Sequence, residues 1–489
     1  SELVIANANQ SRSCIVILAD DDKVEMEDEI RSRVGYLGRT RIVCRTGSPI
    51  DLNDLEIVNP HAARSIVILA PQVDDPDSHI IKTILALTNN PRRRPEPYHI
   101  VAEIRDPKNL DVARMVGRDE AQLLLAGELI SRIAVQTSRQ SGLSVVYTEL
   151  LDFEGDEIYF QDEPGLVGKT FGDALLAYET SSVIGLRFAN GRVALNPPGS
   201  TVINRGDTVI AISNDDDTIV LSGRASVPID DAAIVSAVKA PAIPERTLIL
   251  GWNRRAAIIV NELDAYVAPG SLVTLVSDDP DAQPDLDSRC DQLHHLALDV
   301  LAGDTTDRRL LESLDLPSYQ HVIVLGCSDR LETQEADART LITLLHLRDM
   351  AEREGTDFSI VSEMLDMRNR ELAEVTRADD FIVSDKLVSL LFAQIAENRE
   401  LGAVFTDLFD AEGVELYLKL ARDYVVLNQP VSYYTVVEAA RRRGEIVIGY
   451  RLQSGERDAA AAYGVVVNPN KSHEIAFAPH DRLIVLAES

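Results

Sequence analysis

Three groups of carboxylates could do chemistry in this chain: Asp20, Asp21 and Asp22; Asp74, Asp75 and Asp77; Asp215, Asp216 and Asp217. Calcium takes several hard oxygen ligands, so each group offers part of a Ca2+ site. The first two groups follow apolar runs that read as strands, and strand ends line the ligand crevice of an open α/β sheet. No EF-hand spacing is present, and for any single group a solvated turn or helix cap is the stronger reading. A second chemistry is suggested by Thr247-Leu248-Ile249-Leu250, a strand, followed by the turn Gly251-Trp252-Asn253-Arg254-Arg255 and a helix. A dinucleotide turn uses glycines so that the backbone can approach a pyrophosphate at the helix N-terminus. Only Gly251 is available, with bulky Trp252 behind it. Gly251, Asn253 and the strand-end acid Asp278 are the positions that would hold NAD(H) or another nucleotide; the competing reading is a crevice kept for structure.

Catalysis has little support. The nine histidines are scattered, and neither GxSxG nor HExxH occurs. His294 and His295 fall at a predicted strand start, which suits a surface role. Cys14, Cys44, Cys290 and Cys327 show no CxxC spacing and read as reduced thiols. The expectation is a protein that is not an enzyme.

The elements that position these residues follow from composition and repetition. A chain of 489 residues exceeds one core, and at about 150 residues per domain it makes three or four lobes. Aromatics are 5% while hydrophobic residues are 45%, so the cores are aliphatic, as where helices cover buried sheets. Lys plus Arg number 48 against 79 Asp plus Glu, a net charge of −31 that repels nucleic acid and anionic lipid and suits a cationic partner. No run of 18 apolar residues appears, and residues 1 to 20 lack a signal-peptide layout.

The chain repeats itself. Ile100-Val101-Ala102-Glu103-Ile104-Arg105-Asp106 returns as Ile360-Val361-Ser362-Glu363-Met364-Leu365-Asp366, and Thr148 to Gly155 returns as Thr406 to Gly413. The same register places Val16 to Asp21 on Thr274 to Asp279 and Ser65 to Ala70 on His321 to Gly326; at a larger shift, Leu195-Asn196-Pro197 matches Val467-Asn468-Pro469. One unit has been duplicated. In the second copy, strands are predicted near 247–251, 272–276, 295–298, 321–325 and 358–362, with helices near 254–266, 306–313, 333–353 and 367–377. Strand, helix, strand in this order implies right-handed crossovers and a doubly wound parallel sheet. A further helix is predicted over 383–401, with 125–140 as its partner in the first copy; it packs either across an interface or on its own sheet. Pro228, Pro241 and Pro244 mark 223–245 as a linker. In the same register Ser1-Glu2-Leu3 falls on Asn261-Glu262-Leu263, inside a helix, so the first sheet is expected to lack its opening strand and turn, with both upstream of Ser1.

These residues carry a family resemblance. Ala19 to Glu27 and Ile42 to Pro49 in the first copy, and Gly251 to Arg255, Ala268 to Ser271, Leu311 to Leu314 and Ala336 to Leu341 in the second, resemble the CASTOR/POLLUX proteins across essentially the whole chain. Gly165 to Thr170 and Arg205 to Ile210 are similar to the C-terminal lobe of RCK units (regulator of K+ conductance; TrkA-N/TrkA-C-like) more broadly. The first copy departs from the pattern: it has no Gly-Trp turn, and Asp77-Ser78-His79 does not repeat Ala336-Asp337-Ala338-Arg339. The resemblance implies an α/β fold of two tandem RCK units, each a Rossmann-like lobe plus a smaller α+β lobe: 1–140 and 141–222, the linker 223–245, then 246–398 and 399–489. It implies a ligand-sensing gating ring on the cytoplasmic face of a membrane, four chains forming an eight-unit ring beneath a cation-channel pore that this chain does not contain. The alternative is an NAD(H)-binding regulatory subunit of a potassium-uptake system on the same plan.

Overall fold

The computed structural model describes the chain except for residues 9, 11, 36, 72, 154, 225, 236–242, 356–357, 374–379, 410–412, 457 and 489. The chain divides into two compact units, Ser1–Gly127 with Val388–Gly402, and Glu128–Leu387 with Ala403–Ser489.

In the first unit, Cys14–Ala19 (β1) and Arg41–Thr46 (β2) form a parallel two-stranded sheet. Ile66–Ile68 (β3), Ile100–Glu103 (β4) and Ala121–Leu124 (β5) form a second parallel sheet in the order β3-β4-β5. Helices Lys23–Arg33, Leu52–Ile57, Pro76–Thr88 and Leu110–Gly117 connect them. Ile68, Ile80, Ile84, Leu87, Ile100 and Ala102 form the core, with Leu18 of β1 packed against it, so both sheets share one apolar interior. No described strand pairs with β1 opposite β2, or with β3 opposite β4.

The second unit holds the rest. Glu157–Gln161 (β6), Ser182–Arg187 (β7), Val193–Leu195 (β8) and Thr208–Ser213 (β9) make an antiparallel sheet of order β6-β9-β7-β8. Its helix Phe171–Ala177 opens on a reciprocal cap between Thr170 and Asp173. Then come Arg246–Leu250 (β10), Ser271–Ser277 (β11), Leu296–Ala302 (β12), His321–Val324 (β13), Ser359–Met364 (β14) and Asp380–Val383 (β15), all parallel, in the order β12-β11-β10-β13-β14-β15. Last are Val414–Leu420 (β16), Val431–Ser432 (β17), Ile446–Arg451 (β18), Val465–Val467 (β19), Glu474–Ile475 (β20) and Arg482–Glu488 (β21), whose main sheet, β16-β21-β18-β19, repeats the plan of the first small lobe. The fold therefore repeats one plan twice, a Rossmann-like lobe followed by a smaller antiparallel lobe.

The six-stranded sheet is covered on both faces. Leu248, Leu250, Val322 and Val324 point to Leu344, Leu347 and Met350 of the helix Thr333–Glu354. The opposite face meets the helix Ala126–Arg139, where Ile130 and Ala134 close over Ile259, Ile323, Val361 and Ile382. Burying such a leucine stabilises by about 2 kcal/mol.

Three elements differ from the sequence reading. β15 stands at the start of the helix expected over 383–401, because a four-residue strand opening on an aspartate carries little strand signal. The helix itself is present as Ser384–Glu397, ending short of 401, and a second helix, Leu401–Leu408, follows it. The helix Ala282–Arg289 is polar enough to have read as loop. Of the linker 223–245, residues 236–242 with Pro241 lie outside the described residues. Its preceding part is fastened to the second small lobe: Asp230 N–H donates to Thr435 Oγ1 at 3.0 Å, Ser432 Oγ donates to Pro228 O at 2.5 Å, and Ile234 bridges Val425.

Candidate functional site

In the six-stranded sheet the chain winds outward from β10 through β11 to β12, then returns to lay β13 on the other side of β10. The loops after β10 and β13 part at this switch, leaving a crevice at the strand ends. Gly251 leaves β10 with φ +94°, and a Cβ there would fall 2.5 Å from Leu325 O, so only glycine fits the turn.

The crevice floor is one bonded cluster. Asn253, 1% exposed, donates through Nδ2 to Gly326 O at 2.8 Å and to Glu363 Oε2 at 2.9 Å. Glu363 Oε1 accepts from Ser384 Oγ at 2.7 Å and from the Arg255 guanidinium. A buried carboxylate costs several kcal/mol unless paired, and this one is neutralised by Arg255 and held by neutral donors. Glu363 was not singled out from sequence, although it recurs as Glu103 inside the repeated Ile-Val-x-Glu segment; a repeated acid inside a strand was the available signal.

The place where a pyrophosphate would sit is already filled. Arg254 N–H donates to Asp329 Oδ2 at 2.6 Å, and Arg255 N–H donates to Asn253 Oδ1 at 3.0 Å, so side chains of this chain satisfy the donors ahead of the helix Ala256–Tyr266. Asp278, at the end of β11, is not free to receive a ribose hydroxyl: Arg339 bridges it to Asp304, at 2.9 Å to each. Burial works against the Asp304 carboxylate, but Thr306 and Arg339 outweigh it and hold its pKa below the usual range. Arg330 pairs with Asp279 at 3.1 Å. Burial pushes the Cys327 thiol up, keeping it protonated. Trp252, 7% exposed and the chain's single tryptophan, has a buried Nε1 with no hydrogen-bond partner among the described residues. The crevice is thus a set of mutually paired charges that a polar ligand would have to exchange. It brings Gly251 and Asn253 together, while Asp278 belongs to the Arg339 pair beside them.

The acidic groups separate by role. Asp22 caps the helix Lys23–Arg33, accepting from Val24 N–H at 2.8 Å, while Asp20 and Asp21 are exposed. Asp75 caps the helix Pro76–Thr88 and bonds Ser78, which holds its carboxyl below the usual range; Asp74 is exposed. Asp77 is 2% exposed and accepts from Arg105 N–H, Asp106 N–H and Asn109 Nδ2 at 2.9, 2.9 and 2.8 Å. Asp337 makes the same bonds to Leu365 N–H, Asp366 N–H and Asn369 Nδ2. The aspartate of Ala336-Asp337-Ala338-Arg339 therefore does recur in the first copy, as Asp77, and the departure is confined to its neighbours. Asp215, Asp216 and Asp217, all exposed, form a group of three whose ligand atoms lie within 4.8 Å of one another.

A duplicated Rossmann-like lobe with a small antiparallel lobe, and a crevice of paired charges at the strand ends, defines the class: a tandem RCK fold. The human SLO3 gating ring superimposes with a TM-score of 0.70 over 97% of this chain and 95% of its own, at 13% identity. A family model described as "Castor and Pollux, part of voltage-gated ion channel" matches residues 127–228. Ion channel CASTOR of Lotus japonicus is 32% identical over 100% of this chain and 60% of its own length, and Probable ion channel POLLUX of Arabidopsis thaliana is 30% identical over 100% and 62%. The chain spans about 60% of the length of these relatives, and over that part the matches support the CASTOR/POLLUX family.

Proposed function

We propose that the chain is the ligand-sensing regulatory module of a cation channel, working on the cytoplasmic face of a membrane, with its tandem units delimited as 1–140 with 141–222 and 246–398 with 399–489. The observation that carries this reading is the crevice of the second sheet. Its charges are already paired with one another, an arrangement suited to being rebuilt by a ligand rather than to turning one over. Four chains would form an eight-unit ring, and a ligand that favours one packing would shift the ring by about 1 to 3 kcal/mol per site. That motion would be read by a pore domain outside this chain.

Ca2+ is the ligand best matched to Asp215, Asp216 and Asp217, with Asp20 and Asp21 as further exposed oxygens. NAD(H) or another nucleotide at Gly251, Asn253 and Asp278 would have to displace Asp329 and break the Arg339 bridge, which makes it the weaker fit.

Light scattering at micromolar chain, with and without CaCl2, tests the assembly, while fluorescence of Trp252 reports the crevice during titration with CaCl2, NADH or ADP. The expected result is a tetramer whose properties change with calcium, the change being lost in D215N/D216N/D217N. A monomer under all conditions, with Trp252 unmoved by every ligand, would overturn the proposal.

A further inference from the structure

The two small lobes meet through a nearly two-fold contact. Asn196 and Asn468 both open an Asn-Pro step in the left-handed region, at φ 40° and 48°. Their backbone N–H groups bond Ile184 O and Ile448 O in their own lobes. Their side chains then reach across: Asn196 Nδ2 donates to Gly444 O and Asn468 Nδ2 to Thr180 O, each at 2.9 Å. Residues 180 and 444 are themselves counterparts, like Gly185 and Gly449 in the bulged strands β7 and β18. The contact is reciprocal, as in an isologous dimer.

One position breaks the symmetry. Gly172 N–H donates to Gly199 O in the first lobe, and Tyr434 N–H donates to Lys471 O in the second, so Lys471 stands where the other lobe has a glycine. Its side chain is 2% exposed. Nζ donates to Tyr178 O at 2.8 Å and Ser181 O at 2.5 Å, and Lys471 N–H donates to Glu179 O, so the residue pins the loop 178–181 of the opposite lobe. A neutral amine has two N–H groups, and these two carbonyls accept both. An ammonium has a third, for which no acceptor lies in place among the described residues, and it would sit in the interior without an ion-pair partner.

The surrounding charges do not compensate. Glu179 favours the charged form, but its carboxylate is bonded to Arg224 at 3.0 Å and Ser472 Oγ at 2.6 Å. Tyr178 and Tyr434 are buried phenols pushed above their ordinary range, Asp156 is raised by burial and bonds Asn468, and His473 is exposed.

We propose that Lys471 is a proton-operated latch between the small lobes, closed while its amine is neutral and released as the amine takes up a proton. Burial lowers its pKa to about 7, against about 10.5 for a hydrated lysine. Between those values the open state binds a proton that the closed state excludes, so opening becomes easier as pH falls from 10.5 towards 7 and levels off below. One proton per opening gives about a fifty-fold rise in opening between pH 9 and pH 7, and only about two-fold more by pH 6.

Hydrogen exchange of segments 178–182 and 470–473 in the full chain, corrected for intrinsic rates, measures the opening. The wild type should follow that curve, and K471M should show slow exchange with no pH dependence beyond the intrinsic one. A flat wild-type profile, or a K471M profile that keeps the fifty-fold change, would overturn the latch. Should K471M fail to fold, NMR of wild-type chain labelled at lysine Cε decides: one resonance titrating near pH 7 supports it, and titration of every lysine near pH 10 overturns it.

Discussion

Asp77 and Asp337, 260 positions apart, hold the same three donors: two consecutive backbone N–H groups after the equivalent strands β4 and β14, and the side-chain amide of an asparagine three residues beyond the second of them. Both are buried, at 2% and 0% exposure. The carboxylate ties the long helix to the strand-end loop in both units.

Removing that carboxylate strands three donors. D337A should destabilise the second unit by about 3 kcal/mol, and D77A the first unit by a similar amount, while D337N, which keeps one acceptor oxygen, should cost about half as much. Urea unfolding followed by pulsed proteolysis of each unit would check this. A cost under about 1 kcal/mol for D337A would mean that the clamp is redundant.

Gly251 and Gly168 separate two costs. Both have left-handed backbones, φ +94° and +84°, but a Cβ at 251 would meet Leu325 O at 2.5 Å, while nothing lies within 4 Å of one at 168. G168A should cost about 1 kcal/mol, from backbone strain alone. G251A should cost at least about 2 kcal/mol more, because the turn must also move away from a carbonyl. Tryptophan fluorescence should redden in G251A and stay constant in G168A, since Trp252 follows the turn. Equal costs would show that the turn yields freely.

Strand edges give a third test. In the repeat register Val16 of β1 corresponds to Thr274 of β11, yet Val16 is 43% exposed and Thr274 4%. β11 is paired on both sides, by β10 and β12, whereas among the described residues β1 pairs with β2 alone. Amides of Ile15 to Leu18 should therefore exchange at least about ten-fold faster than those of Thr274 to Val276. Equal protection would require a partner strand on β1 and would overturn the described pairing.

Much of this protein was legible in its residues. The 258 to 260 register exposed the duplication, because a repeated unit must bury the same apolar positions twice: Ile100 and Ile360, Val101 and Val361, are all core. The parallel sheet followed from apolar runs alternating with amphipathic segments, the order that right-handed crossovers require. Gly251 announced a tight turn. What tertiary structure alone decided is the state of the charges. Asp77 looked like a cation ligand beside Asp74 and Asp75, but bonds from a loop 28 residues away consume it. Asp278 looked like a strand-end acid for a nucleotide, and Arg339, 61 residues on, takes it. Lys471 gave no signal at all, for a lysine is ordinarily solvated, and only the docking of one small lobe on the other buries it. Sequence records which groups can ionise; burial and partners, set by contacts between distant segments, decide which charges are spent on the fold and which are left to respond to a ligand or a proton.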